Sequence, residues 1–174
     1  MNPDTPISSS FSHTFTRRII FIGFMGAGKS YLGIQIAALM KLPFYDTDLE
    51  VEKRENLSIS EIFRFRGEDS FRIIERDILL KAAPVSVIAT GGGIIELPEN
   101  REFLKKNKDV VIWLNPEWKI VFQRIKQTGR PKVEKLNEKE LYALWLKRIP
   151  LYAECASFTY QGDSLSELLL MIKK

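Results

Sequence analysis

Residues 18–30 read Arg18-Ile19-Ile20-Phe21-Ile22-Gly23-Phe24-Met25-Gly26-Ala27-Gly28-Lys29-Ser30. The run before Gly23 is apolar and rich in β-branched residues, the pattern of a strand buried on both faces. Gly23 to Ser30 complete the G-x-x-x-x-G-K-[ST] signature of a phosphate-binding loop. After it, Leu32, Ile36, Leu39 and Met40 recur at helical spacing until Pro43 stops the pattern. In that strand–loop–helix context the glycines let backbone N–H groups wrap a polyphosphate, and the helix N-terminus adds a favourable dipole. The motif assigns Lys29 to the β- and γ-phosphates and the Ser30 hydroxyl to Mg²⁺. A Gly-rich turn carrying a chance lysine is the bland alternative, and the flanking elements argue against it.

A chain of 174 residues is read as one domain with room for a real core. Its formal net charge of +4 suits small anionic ligands such as nucleotides, and no basic block of the kind that tracks nucleic acid is present. The lone Cys155 excludes an internal disulfide and a multi-cysteine zinc site, and reads as a packed core thiol. No apolar run approaches membrane-spanning length, so no membrane partner is expected and the expected location is the cytoplasm. Residues 1–16 are rich in Ser, Thr and Pro without periodicity, the composition of a disordered tail; they lack the apolar core of a secretory signal. The chain's one histidine, His13, lies in that tail. The expected acid–base chemistry therefore falls to carboxylates.

Beyond the first helix the pattern keeps alternating. Strands are expected at residues 18–22, 44–45, 85–89 and 110–114, with a fifth at 158–160. Helical stretches are expected at 49–55, across 58–79 with an interruption at Gly67, at 116–127, 141–147 and 165–172. Ser58 and Glu61 have capping-box spacing, and Pro116 suits a first helical turn. Residues 128–137 lack apolar periodicity and read as a mobile loop. Strands separated by helices imply an α/β fold, a parallel sheet covered on both faces.

Open α/β sheets bind ligands at the carboxyl ends of their strands. Four features fall there: the phosphate loop, Asp46-Thr47-Asp48, Gly91-Gly92-Gly93, and the arginines Arg72, Arg130 and Arg148. The acids could serve a metal and an acceptor, or merely cap the next helix. The glycines could let a ligand touch backbone, or simply make a flexible turn. Each arginine alone reads as a surface charge; together with the other features they read as an anion site.

These residues resemble the shikimate kinase family over essentially the whole chain after the tail. The resemblance is carried by Gly23 to Ser30, Asp46-Thr47-Asp48, Gly67-Glu68-Asp69-Ser70-Phe71-Arg72 with Glu75, Thr90 to Gly93, Arg130-Pro131, and Arg148-Ile149-Pro150-Leu151-Tyr152. It implies a three-layer P-loop NTPase fold of the nucleoside-monophosphate-kinase type, with a five-stranded parallel sheet, in a single domain over residues 17–174 with a lid near 126–138. It also implies ATP-dependent phosphorylation of the 3-hydroxyl of shikimate, Mg²⁺ as cofactor, and a monomer.

By resemblance, Gly26, Ala27, Gly28, Lys29, Ser30 and Tyr31 bind ATP. Arg124 stacks on adenine, and Arg130 belongs to the lid and to the catalytic set with Lys29 and Asp48. Asp48 holds the acceptor hydroxyls and is the base; Arg72 and Arg148 pair with the acceptor carboxylate; Gly91, Gly92 and Gly93 line its ring. Ser30 and Asp46 place the metal. The chain departs from the family pattern where Arg130-Pro131 continues Lys132-Val133, and near Gln161-Gly162-Asp163, where no adenine contact is assigned. A gluconate-type or nucleotide kinase would share the loop without the Phe71-Arg72 and Arg148-x-Pro-Leu-Tyr segments. A nucleotide-binding regulatory module would not need Lys29, Asp48 and Arg130 together.

Overall fold

The computed structural model describes residues 15–106, 108–126, 136–162 and 164–173. In chain order these form β1 (Ile19–Ile22), α1 (Lys29–Met40), β2 (Phe44–Asp46), α2 (Thr47–Glu55), α3 (Ile59–Lys81), β3 (Val87–Ala89) and α4 (Pro98–Lys106). Then follow β4 (Val110–Leu114), α5 (Trp118–Lys126), α6 (Glu138–Cys155), β5 (Phe158–Tyr160) and α7 (Leu165–Ile172). The strands make one five-stranded sheet in the order β2-β3-β1-β4-β5, and every neighbouring pair is parallel.

Strand alternation builds the two cores. Ile19, Phe21, Val87 and Ile112 face α1 and α7, meeting Leu32, Ile36, Leu168 and Ile172. Ile20, Ile22, Ile88, Val111 and Trp113 face the other way, onto Leu79, Leu104, Val121, Ile125 and Tyr152. The result is the three-layer arrangement that strands spaced by helices imply. A smaller cluster of Val51, Ile62 and Phe71 joins α2 to α3. Since β1 is flanked by β3 on one side and β4 on the other, the strand order reverses around it. Its carboxyl end is the switch point at which such sheets hold ligands.

Several expectations hold in detail. Ser58 and Glu61 form the capping box that opens α3, and Gly67 breaks its dihedrals at φ 81°, ψ 167°. Cys155 is a free thiol with 4% of its surface exposed; burial pushes it up to about 11, which keeps it inert.

Other expectations are corrected. The third strand is Val87–Ala89, shorter than 85–89, because Ser86 turns inward and its hydroxyl donates to the Ala83 carbonyl. α2 starts at Thr47, so Asp48 sits in a first helical turn. α5 begins at Trp118, leaving Pro116 outside it. α4 falls where no helix is expected: it is largely polar and buries only Asn100 and Leu104. α6 runs well past 141–147 and through Pro150. Pro150 removes the N–H that would bond the Leu146 carbonyl; Leu146 is exposed, so water can satisfy that oxygen. Most of the tail expected at 1–16 and of the lid expected at 126–138, with Arg130, lies outside the described residues. Among the described residues no helix is long and apolar enough to cross a membrane.

Candidate active site

The phosphate loop is set by its glycines. A Cβ on Gly23 would lie 2.5 Å from the Leu114 carbonyl oxygen, so the loop packs directly on the end of β4. Gly28 takes φ 97° as the N-cap of α1 and offers no capping side chain. The first N–H groups of α1 are therefore left to an anion. Lys29 is 7% exposed, and its Nζ donates to the carbonyls of Gly23 at 2.8 Å and Phe24 at 2.9 Å. The ammonium is thus folded over the loop's own backbone. Arg124 comes in from α5, where it donates to the Gly26 carbonyl at 3.3 Å. Tyr31 has its side chain largely in solvent at 72% exposure; what it offers a nucleotide is a backbone N–H in the first turn of α1.

Beside the loop, the Ser30 hydroxyl donates to Asp46 Oδ2 at 2.5 Å. The other oxygen, Asp46 Oδ1, accepts from the backbone N–H groups of Asp48 and Leu49 and so caps α2. One oxygen of this acid thus fulfils the capping reading, and the other is engaged by Ser30. The pair of hard oxygen donors suits Mg²⁺, which is held by one or two protein oxygens together with phosphates and water. Among the described residues no three His, Cys, Asp or Glu side chains cluster as a metal cage, and a site of that kind needs none.

A cleft of about 510 Å³ gathers Ser30, Asp46, Asp48, Arg72, Gly91, Gly92, Gly93 and Arg148, with Met25, Phe63 and Phe71 as an apolar wall. The triple glycine is required by the side chains that lie against it. A Cβ on Gly91 would stand 2.1 Å from Glu75 Oε1 and 2.6 Å from Asp48 Oδ1; one on Gly93 would stand 2.1 Å from Arg72 Nη2. Gly92 is fixed by Tyr152, whose hydroxyl donates to its carbonyl at 2.5 Å. Burial holds the Tyr152 phenol well above its ordinary value, so it remains a donor.

Arg72 is 6% exposed and donates from Nη1 to Glu75 at 2.7 Å and from Nη2 to Glu68 at 2.8 Å. Its Nε is buried with no hydrogen-bond partner. An unsatisfied buried donor costs about 1–3 kcal/mol. Burial alone would lower the Arg72 pKa, but Glu75 and then Glu68 outweigh it and hold the guanidinium above its ordinary value. Glu75 is fully buried, and its Oε1 has no partner. Burial first, and then nearby Asp48, push it up to about 7 against the pull of Arg72 and Arg148. The two partners thus shift in ways that differ in meaning: Arg72 keeps its charge, whereas Glu75 is poised to hold a proton. The orphaned Oε1 favours that reading of Glu75.

Arg148, 2% exposed, projects from α6 and donates from Nε to Glu96 Oε1 at 2.9 Å and from Nη2 to the same oxygen. Its guanidinium carbon lies 5.5 Å from the centroid of the Phe24 ring. The structure therefore brings together the loop, Asp46, Asp48, Arg72, the glycines and Arg148, and adds Glu68, Glu75, Glu96 and Tyr152, to which the sequence reading assigned no role. Arg72 with Glu68 and Glu75 has i,i+4 and i,i+3 spacing and could have been read as helix pairs. Arg148 and Glu96 lie too far apart in sequence for any such signal.

The family profile described as shikimate kinase matches residues 25–172. The chain is 40% identical over 151 residues to the shikimate kinase of Dictyoglomus turgidum, covering 83% of this chain and 87% of that one. It is similar to the solved shikimate kinase from Acinetobacter baumannii in complex with shikimate, with TM-score 0.78, 32% identity, and coverage of 90% and 93%. The Aquifex aeolicus shikimate kinase gives TM-score 0.77 at 32% identity, with coverage of 90% and 96%. A deoxyadenosine kinase from M. mycoides, at 18% identity and TM-score 0.59, shares the fold alone.

Proposed function

The chain belongs to the shikimate kinase family, and on that premise we propose that it transfers the γ-phosphoryl group of ATP to the 3-hydroxyl of shikimate. The product, shikimate 3-phosphate, leads toward chorismate and the aromatic amino acids. The observation that carries the reading is the pairing of two buried guanidinium groups, Arg72 and Arg148, with the Asp48 carboxylate in one cleft beside the phosphate loop. Guanidinium forks match a carboxylate in bidentate geometry, and a carboxylate matches hydroxyl groups. A nucleotide or sugar acceptor without a carboxylate would leave both arginines without a ligand.

Phosphoryl transfer through a loose transition state depends on positioning and charge neutralisation more than on a strong base. Arg72 and Arg148 anchor the acid end of shikimate. Asp48 orients the reacting hydroxyl and takes its proton as the bond to phosphorus forms. Lys29 and the N-terminal amides of α1 hold the phosphate oxygens. Ser30 and Asp46 would hold Mg²⁺, which when bound would supply further neutralisation of phosphate charge. Arg124 lies over the loop on the nucleotide side. Arg130 joins the phosphate-binding set on the family resemblance. We assign residues 17–174 to one catalytic domain acting as a monomer in the cytoplasm.

A coupled ATP-consumption assay with shikimate, quinate, gluconate and AMP as acceptors tests the reading. Turnover is expected with shikimate far above the rest. Preferred use of gluconate or AMP would assign the cleft to another acceptor.

A further inference from the structure

Glu96 lies just beyond the triple glycine, and its backbone N–H donates to the Gly93 carbonyl at 2.9 Å, closing a turn. Its side chain keeps 35% of its surface exposed, whereas that of Arg148 keeps 2%. Glu96 does not line the acceptor cleft; Arg148 does. A single carboxylate oxygen, Oε1, receives both Nε and Nη2 of Arg148. That contact uses the side edge of the guanidinium. The guanidinium carbon also lies 5.5 Å from the centroid of the Phe24 ring, which Trp118 backs at a centroid distance of 6.4 Å. The side edge is taken by Glu96, and the Tyr152 hydroxyl is also within hydrogen-bonding reach of the guanidinium. The Nη1–Nη2 end is the edge a bidentate carboxylate would use, since Nη2 carries one hydrogen toward each edge.

Resting on the proposed acceptor, we propose that Glu96 is a positioning residue for recognition of the acceptor carboxylate: it clamps Arg148 from outside the cleft, so that the end of the guanidinium is presented in a fixed plane. An arginine side chain loses much rotamer freedom when it binds. Glu96 and Phe24 remove that freedom before the ligand arrives, which is how pre-organisation raises affinity. The same carboxylate acts on the second anchor at longer range, since it contributes to the raised pKa of Arg72. Glu96 touches neither the transferred group nor the nucleotide, so its effect is confined to acceptor binding.

The test is steady-state kinetics of Glu96→Ala and Glu96→Gln, with shikimate and with its methyl ester as acceptors. A hydrogen-bonded charged pair that is half open to solvent implies a rise of about three- to tenfold in KM for shikimate on Glu96→Ala. The kcat should fall by less than KM rises, and KM for ATP should hold. Glu96→Gln keeps an oxygen acceptor and should restore most of the loss. With the methyl ester, which presents no charged fork to Arg148, the Glu96→Ala effect should vanish. A shikimate KM at or below that of the wild type in Glu96→Ala overturns the inference, because Glu96 would then be idle or a competitor for Arg148. An equal loss with both acceptors overturns it too, as the mark of general damage to the fold. Arg148→Lys serves as the reference: if it raises KM for shikimate while Glu96→Ala does not, only the clamp is wrong. If Arg148→Lys also leaves KM unchanged, the acceptor site itself has been misread.

Discussion

Ser30 and Asp46 are joined hydroxyl to carboxylate across the start of α1 and the end of β2. The opposite oxygen of Asp46 caps α2, the helix whose first turn carries Asp48. One side chain therefore ties the phosphate loop to the element that presents Asp48, the proposed base. The spacing of the two strand ends, fixed by the β2–β3–β1 pairing, sets the distance over which phosphoryl transfer is arranged.

Lys29→Ala is expected to abolish turnover while shikimate binding persists. Lys29 is proposed to act on phosphate oxygens, and it does not line the acceptor cleft. Calorimetry should find ordinary shikimate affinity in a dead enzyme. Turnover close to wild type would remove the phosphate-loop assignment.

Arg72→Lys and Arg148→Lys keep the charge and lose the fork. Breaking a buried charged contact costs about 2–5 kcal/mol, so shikimate affinity should fall by roughly thirtyfold or more. ATP affinity measured without shikimate should change little. Normal shikimate binding in both variants would show that the carboxylate lies elsewhere.

These residues also mark how far the sequence could be read. Gly23 to Ser30 were legible because the loop's chemistry is local, with a strand before it and a helix after it. The break at Gly67 and the capping box at Ser58 were legible for the same reason. α4 was not, because its nine residues bury only Asn100 and Leu104, too few positions to set a period. The length of α6 was hidden by Pro150, which reads as a stop but falls where the freed carbonyl meets solvent. The glycines at 91–93 read as room for a ligand or as a flexible turn, and they line the cleft. The demand that Arg72, Glu75 and Asp48 place on Gly91 and Gly93 is a packing fact that sequence spacing does not carry. Glu96 meets Arg148 only because α6 packs back over the turn after β3, a tertiary fact that no spacing announces.

Asp48→Asn keeps the size of the side chain and one acceptor oxygen but removes the charge that orients and deprotonates the hydroxyl. General-base catalysis is worth about 10²–10⁴-fold, so turnover should drop by at least that lower bound and shikimate binding should weaken. Asp46→Asn should instead raise the Mg²⁺ requirement and be partly rescued by excess metal. Rate titrations with Mg²⁺ on both variants separate the roles. Metal rescue of the Asp48 variant alone would show that the two acids had been assigned in reverse.

The last prediction concerns Glu75, the buried carboxyl that faces Arg72, Asp48 and Arg148. Its ordinary value of 4.5 applies to the unfolded chain, whereas the folded protein raises it to about 7. Between those values the folded state holds a proton that the unfolded chain has released. Stability from this group is therefore fully present below 4.5 and is lost as pH rises through 7. At about 1.4 kcal/mol per unit, the loss is at most about 3–4 kcal/mol. Glu75→Gln keeps an oxygen for Arg72 and removes the titration. Urea unfolding at about pH 5 and about pH 7.5 should show the wild type losing stability relative to the variant as the carboxylate forms. The variant should also retain the fold, since its amide oxygen can still accept from Arg72. Parallel pH dependence in the two proteins would mean that Glu75 is ionised throughout, with Arg72 compensating fully for its burial.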